Sequence, residues 1–82
     1  MDDHLVKALV DVAIFLEFSN QELLNEDLAV DMLEKLSSEL QLINDDLRSE
    51  LCEKIKDLSD KYEGIEKKVF VNKLPETLGI DY

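Results

Sequence analysis

An all-α fold is what this sequence predicts: a small antiparallel helical bundle of three long helices plus a short C-terminal helical segment, in one domain over residues 1–82. Three observations carry that expectation. Helix breakers are scarce, with Gly64, Pro75 and Gly79 the only glycines and proline in the chain. Apolar residues recur at spacings of three and four along successive stretches, which is the period of one helix face and not the alternation of a strand. A hydrophobic content of 45% is ordinary for a globular chain, so a core can form despite a formal charge of -11.

The first element is expected from about Asp3 to Phe18. Leu5, Leu9, Val12, Ile14, Phe15, Leu16 and Phe18 surround most of its circumference, and only Lys7, Asp11 and Glu17 mark solvent. Such a helix needs cover on more than one side, which makes it the expected centre of the core. Val6, Val10, Val12 and Ile14 would also suit a buried strand, but about 16 residues is long for one. Ser19 and Glu22 have the spacing of a capping box, so residues 21–24 could form a short helical turn.

A second helix is expected to begin near Asn25 or Glu26, with Glu26 and Asp27 in a first turn whose open N–H groups favour negative charge. Ala29, Met32, Leu33, Leu36, Leu40 and Ile43 make its inward stripe, and Asp27, Asp31, Glu34, Lys35, Ser38 and Gln41 its wet side. Asn44 is the expected N-cap of a third helix, with Asp45 and Asp46 behind it and a stripe of Leu47, Leu51, Ile55, Leu58 and Tyr62. The short connection predicts that these two helices run antiparallel as a hairpin. Gly64 should end or weaken the third. The last segment offers Ile65, Val69, Phe70, Leu74 and Leu78, with Pro75 able to open a terminal turn and Gly79 able to close it.

The charge is unevenly placed. Residues 1–53 carry 14 acidic and 3 basic side chains, whereas residues 54–82 carry 6 of each, so the first part of the chain holds the whole -11. Phosphate backbones repel such a surface, which argues against direct nucleic-acid binding. The acidic surface is expected to centre on the outer side of the second helix and the caps beside it: Glu26, Asp27, Asp31, Glu34, Asp45 and Asp46. Its bland reading is a solvated, solubilising face; its functional reading is a contact for a cationic partner.

Little else in the chain carries chemistry. His4 is the single histidine and sits where helices fray, so an ordinary terminal side chain is the simpler reading than a general base. Cys52 is alone, which excludes an internal disulfide and fits a reducing compartment; a small core side chain is simpler than a nucleophile. Asp27 with Asp31, and Asp46 with Glu50, stand four apart on helices, but the Asn44–Asp46 junction lacks the length and glycine of a calcium loop. One cysteine and one histidine do not make a zinc site, so no metal or cofactor is expected. Acyl carriers are also small, acidic and helical, yet the place where a carrier needs its serine reads Glu26, Asp27, Leu28. The N-terminal stretch begins with Asp2 and Asp3 and is interrupted by Asp11 and Glu17, which predicts neither a signal peptide nor a membrane span and makes the cytoplasm the expected compartment.

The run AVDMLEKLSSELQLINDDLRSELCEKIKDLSDKY, followed by FVNKLPETLGI, resembles a pattern in small bacterial helical proteins, some of which look like immunity partners of toxins. The resemblance covers about residues 29–80 and rests on the helical stripes, Arg48 just after the interhelical turn, and the closing Leu74-Pro75-Glu76-Thr77-Leu78-Gly79-Ile80. It implies a bacterial cytoplasmic inhibitor and transfers no catalytic residue.

Two functional expectations follow. The first is an acidic protein-binding module, an immunity or inhibitor protein that neutralises a basic toxin or nuclease-like enzyme, with Tyr62, Tyr82 and Phe18 as possible apolar anchors. The alternative is a structural or regulatory homodimer whose second copy covers the apolar first helix. Neither expectation is enzymatic.

Overall fold

The computed structural model describes residues 1–18 and 25–81. The expected turn at 21–24, the Ser19–Glu22 capping box and Tyr82 lie outside the described residues. Four α-helices follow in order: α1 (Asp3–Phe18), α2 (Glu26–Leu40), α3 (Asp45–Leu58) and α4 (Ile65–Thr77), with a 3-10 turn at Ser59–Lys61. Among the described residues there is no strand.

Polar side chains set the helix starts. The Asp2 carboxylate accepts from His4 N–H at 2.7 Å and Leu5 N–H at 3.1 Å, satisfying donors that have no partner inside α1. Asn25 caps α2 by accepting from Asp27 and Leu28 N–H, and Asn44 caps α3 by accepting from Leu47 N–H at 2.9 Å. Before α4, Gly64 takes φ +93°, a left-handed value open to glycine.

The core lies between α1, α3 and α4. Val6, Val10 and Ala13 of α1 meet Leu51, Cys52 and Ile55 of α3 and Val71 and Leu74 of α4, and Leu78 and Ile80 close the end. Helix α1 packs against α2, α3 and α4, as expected of the central element, but its cover stops short of the whole circumference: Leu5 (65% exposed), Val12 (54%) and Phe15 (55%) stand exposed.

Among the described residues the main helix–helix contact of α2 is with α1. Only Ala29 of α2 is fully buried; Leu33, Leu36 and Leu40 are half-buried and Met32 is exposed. On α3, Leu47 is likewise exposed at the first turn, although its sequence spacing puts it on the inward stripe.

The expected short C-terminal segment is one helix of 13 residues, against 14 for α3, and Pro75 lies inside it. A proline there removes one hydrogen bond and costs roughly 3 kcal/mol in a helix interior. Burial offsets this, because Val71, Leu74, Pro75 and Leu78 are all buried and full burial of a large apolar side chain stabilises by roughly 1.5–3 kcal/mol. Ile65 and Val69, expected inside, are exposed; Val71 takes the inward place.

Past Thr77 the chain closes in a Schellman turn. Gly79 N–H donates to Glu76 O and Ile80 N–H to Pro75 O, both at 3.0 Å, with Gly79 at φ +68°. Three side chains, from α2, the cap residue after it and α3, hold this turn. Ser37 Oγ donates to Leu78 O at 2.6 Å, Gln41 Nε2 to the same oxygen at 3.1 Å, and Cys52 Sγ to Ile80 O at 3.2 Å. No helix among the described residues is long and apolar enough to cross a membrane.

Candidate functional site: an apolar pocket in the acidic half

The six carboxylates singled out in the sequence are all exposed. They are spread out: Glu26, Asp27, Asp31 and Glu34 follow α2 from its start, whereas Asp45 and Asp46 open α3. Helix α2 has 15 residues, hence about 22 Å of length at 1.5 Å per residue, so its first-turn acids and the α3 cap belong to opposite ends. Asp31 pairs with Lys35 Nζ at 2.9 Å and Asp45 with Arg48 Nη2 at 3.3 Å. Among the described residues no three metal-ligating side chains converge.

Ion pairing tightens the charge asymmetry. The three cations of residues 1–53 are Lys7, Lys35 and Arg48, and each meets a carboxylate of the same half; Lys7 takes Asp11 at 2.7 Å. From the balanced half, Lys54 reaches Asp3 at 2.7 Å and holds its carboxyl below the usual range. The Lys7 hydrogen bond, with a second from Tyr62 Oη at 2.6 Å, does the same for Asp11. Tyr62 is thus a tied side chain: its ring lies under Lys7 Nζ, 5.6 Å from the centroid, and burial together with Asp11 pushes its phenol well above the ordinary value. Phe18 packs edge-on against Phe70, centroids 5.5 Å apart, and stays 40% exposed.

The apolar surface follows the acid. Among the described residues, ten of the twelve large apolar side chains that stand exposed come from residues 1–53; Ile65 and Val69 are the other two. Along α1, Leu5, Ala8, Val12 and Phe15 repeat at three, four and three, an outward seam of the kind that helices bury against one another. Where this seam meets α2 and α3 there is a pocket of about 270 Å³ lined by apolar side chains only. The buried Val6 and Leu51 form its inner wall, Leu9, Leu40 and Ile43 its sides, and the exposed Leu5, Leu47 and Met1 its mouth. The Met1 amino group meets Glu50 beside it.

Sequence periodicity could not show this pocket, because Leu9, Leu40, Ile43 and Leu51 carry the same spacing whether they fill a core or line a hollow. The signal that was present is Asn44. By starting α3 there, it leaves Ile43 and Leu47 on the two sides of a helix start, where the chain turns away and cannot fill the space.

Comparison with protein-family models, curated proteins and solved structures gives no match to this chain.

Proposed function

We propose that this chain is an acidic protein-binding module, an immunity or inhibitor protein that neutralises a basic toxin or enzyme in the cytoplasm by covering its active or nucleic-acid-binding surface. The observation that supports the reading is the coincidence of uncompensated acid and exposed apolar side chains in residues 1–53. Enzymes that act on nucleic acids present Lys and Arg to phosphate, and a compact acidic helical surface competes for that ground. Long-range charge speeds encounter and selects the partner, while desolvated apolar contacts supply residence time.

A homodimer through α1 is the second reading, favoured by the Leu5, Ala8, Val12, Phe15 seam. Charge weighs against it, since two copies joined through residues 1–53 bring two like-charged surfaces together. The test is affinity capture of a basic protein followed by calorimetric titration at low and high salt. Joint neutralisation of Asp27, Asp31, Glu34, Asp45 and Asp46 should weaken binding by orders of magnitude and leave helicity intact, and matched changes at Glu63 and Glu66 should do much less. Salt-insensitive binding that ignores all five changes would leave the acid as solubility alone.

A further inference from the structure

We infer that the pocket between α1, the end of α2 and the start of α3 receives one large apolar side chain from a cationic amphipathic segment of a partner protein. The inference rests on the acidic-module reading and adds to it a place and an anchor. Size sets the first limit. At about 270 Å³ the pocket is smaller than the roughly 300–1,000 Å³ of most small-molecule sites, and an apolar lining without a polar group offers no way to orient a polar ligand. One Leu-, Phe- or Trp-sized side chain is what such a hollow fits, and a buried aromatic anchor is the usual centre of a protein interface.

Charge sets the second limit. Every lining residue belongs to residues 1–53, which carry 14 acidic and 3 basic side chains. The cations of that half are paired within it: Lys7 with Asp11, Lys35 with Asp31, Arg48 with Asp45, and the Met1 amino group at the mouth with Glu50. A segment entering here therefore approaches through a net negative field and is favoured when it carries Lys or Arg around an apolar side chain. A second copy of this chain brings the opposite complement, because its own apolar seam is flanked by its own excess of acid. An anionic lipid surface is repelled for the same reason.

The chain has no tryptophan, so a tryptophan in a probe reports its surroundings without background. The probe is a synthetic amphipathic peptide of roughly five helical turns, Lys on one face and Leu on the other, with a single Trp among the leucines. Its control has Glu in place of every Lys. The full chain should bind the Lys peptide with one-to-one stoichiometry and a blue-shifted Trp emission, and should not bind the Glu peptide. Leu5→Gln and Leu47→Gln change exposed mouth residues and should leave the circular dichroism spectrum and urea midpoint near wild type. Each should weaken binding by about tenfold, equivalent to about 1.4 kcal/mol, and reduce the blue shift, while Ile65→Gln on the far half should do neither.

The contrary outcomes are separable. Unchanged affinity in both mouth variants, with strong salt dependence retained, overturns the pocket and leaves the acidic module standing. Equal binding of the Lys and Glu peptides overturns the charge argument and the acidic-module reading with it. Failure of the Lys peptide to bind overturns the pocket assignment, and so does a dimer in sedimentation that Leu5→Gln and Leu47→Gln dissociate, since that gives the hollow to a second copy.

Discussion

Replacing Gly79 by alanine tests how the C-terminal turn is held. Gly79 sits at φ +68°, and a left-handed conformation costs an L-residue about 1–2 kcal/mol. A Cβ built there would lie 2.8 Å from Gln41 Nε2, so the amide must swing away. Doing so breaks its hydrogen bonds to Leu78 O and Ser37 Oγ, both 3.1 Å. Each is worth about 0.5–1.5 kcal/mol in general, and the low end applies because Gln41 is exposed. The expected loss is therefore about 2–3 kcal/mol, a large share of the roughly 4–12 kcal/mol available to a chain of this length. Urea unfolding should show a lower midpoint with an unchanged slope. In a Gln41→Ala background the cost of Gly79→Ala should fall to the conformational part alone, about 1–2 kcal/mol. Gly64→Ala is the internal control, because φ +93° with ψ 136° also strains an L-residue, by at least as much, but nothing lies within 4 Å of the new Cβ. Its cost should not depend on Gln41. A loss below about 0.5 kcal/mol at Gly79, or a loss identical with and without Gln41, would refute the clamp.

Further outcomes follow from the same contacts. Leu51→Asp should unfold the chain, because it places an unpaired charge at a 3% exposed site, whereas Val12→Gln at 54% exposure should keep the wild-type thermal midpoint; equal tolerance of both would mean α1 and α3 are misassigned. The Cys52 thiol is buried, and burial pushes its pKa up, so a thiol reagent should react slowly with the native protein and rapidly in urea; fast native reaction would contradict its bond to Ile80 O. Asp11 has a lowered carboxyl pKa, so its contribution to stability is present above the unfolded value of 3.8 and disappears as pH falls through the folded one; Asp11→Asn should flatten that part of the acid unfolding curve. Tyr62 is raised, so its contribution holds below the unfolded value of 10.0 and disappears at higher pH. In a Tyr82→Phe background its ultraviolet titration should begin above that value, and Asp11→Asn should move it down; a normal phenol titration would break the Tyr62–Asp11 link.

The local elements were legible because their determinants are local. Asn25 and Asn44 are side-chain caps, and Gly79 answers a left-handed requirement, so residue type alone marks those positions. The direction each helix faces depends on its neighbours. Leu5, Val12 and Phe15 are as apolar as Val6, Val10 and Ala13, and which face of α1 is buried is decided by where α3 and α4 pack, which residue type does not show. Pro75 continued α4 for a similar reason: its missing donor is a local cost, while burial beside Leu74 and Leu78 is a tertiary gain. The acidic half was visible as a count of charges. That ten exposed apolar side chains share it was not, because exposure of a leucine is decided by packing.

The central claim, that the acid of residues 1–53 and the apolar hollow they line act together, is tested most directly by mapping backbone amide shifts as the Lys-rich Trp peptide is titrated into the labelled chain. The account predicts saturating shifts in residues 1–12 and 39–51 and no more than small changes along α4, with the whole pattern weakened by salt and by Leu47→Gln. Shifts concentrated around Ile65 and Val69, or a uniform drift that salt and Leu47→Gln leave unchanged, would contradict it.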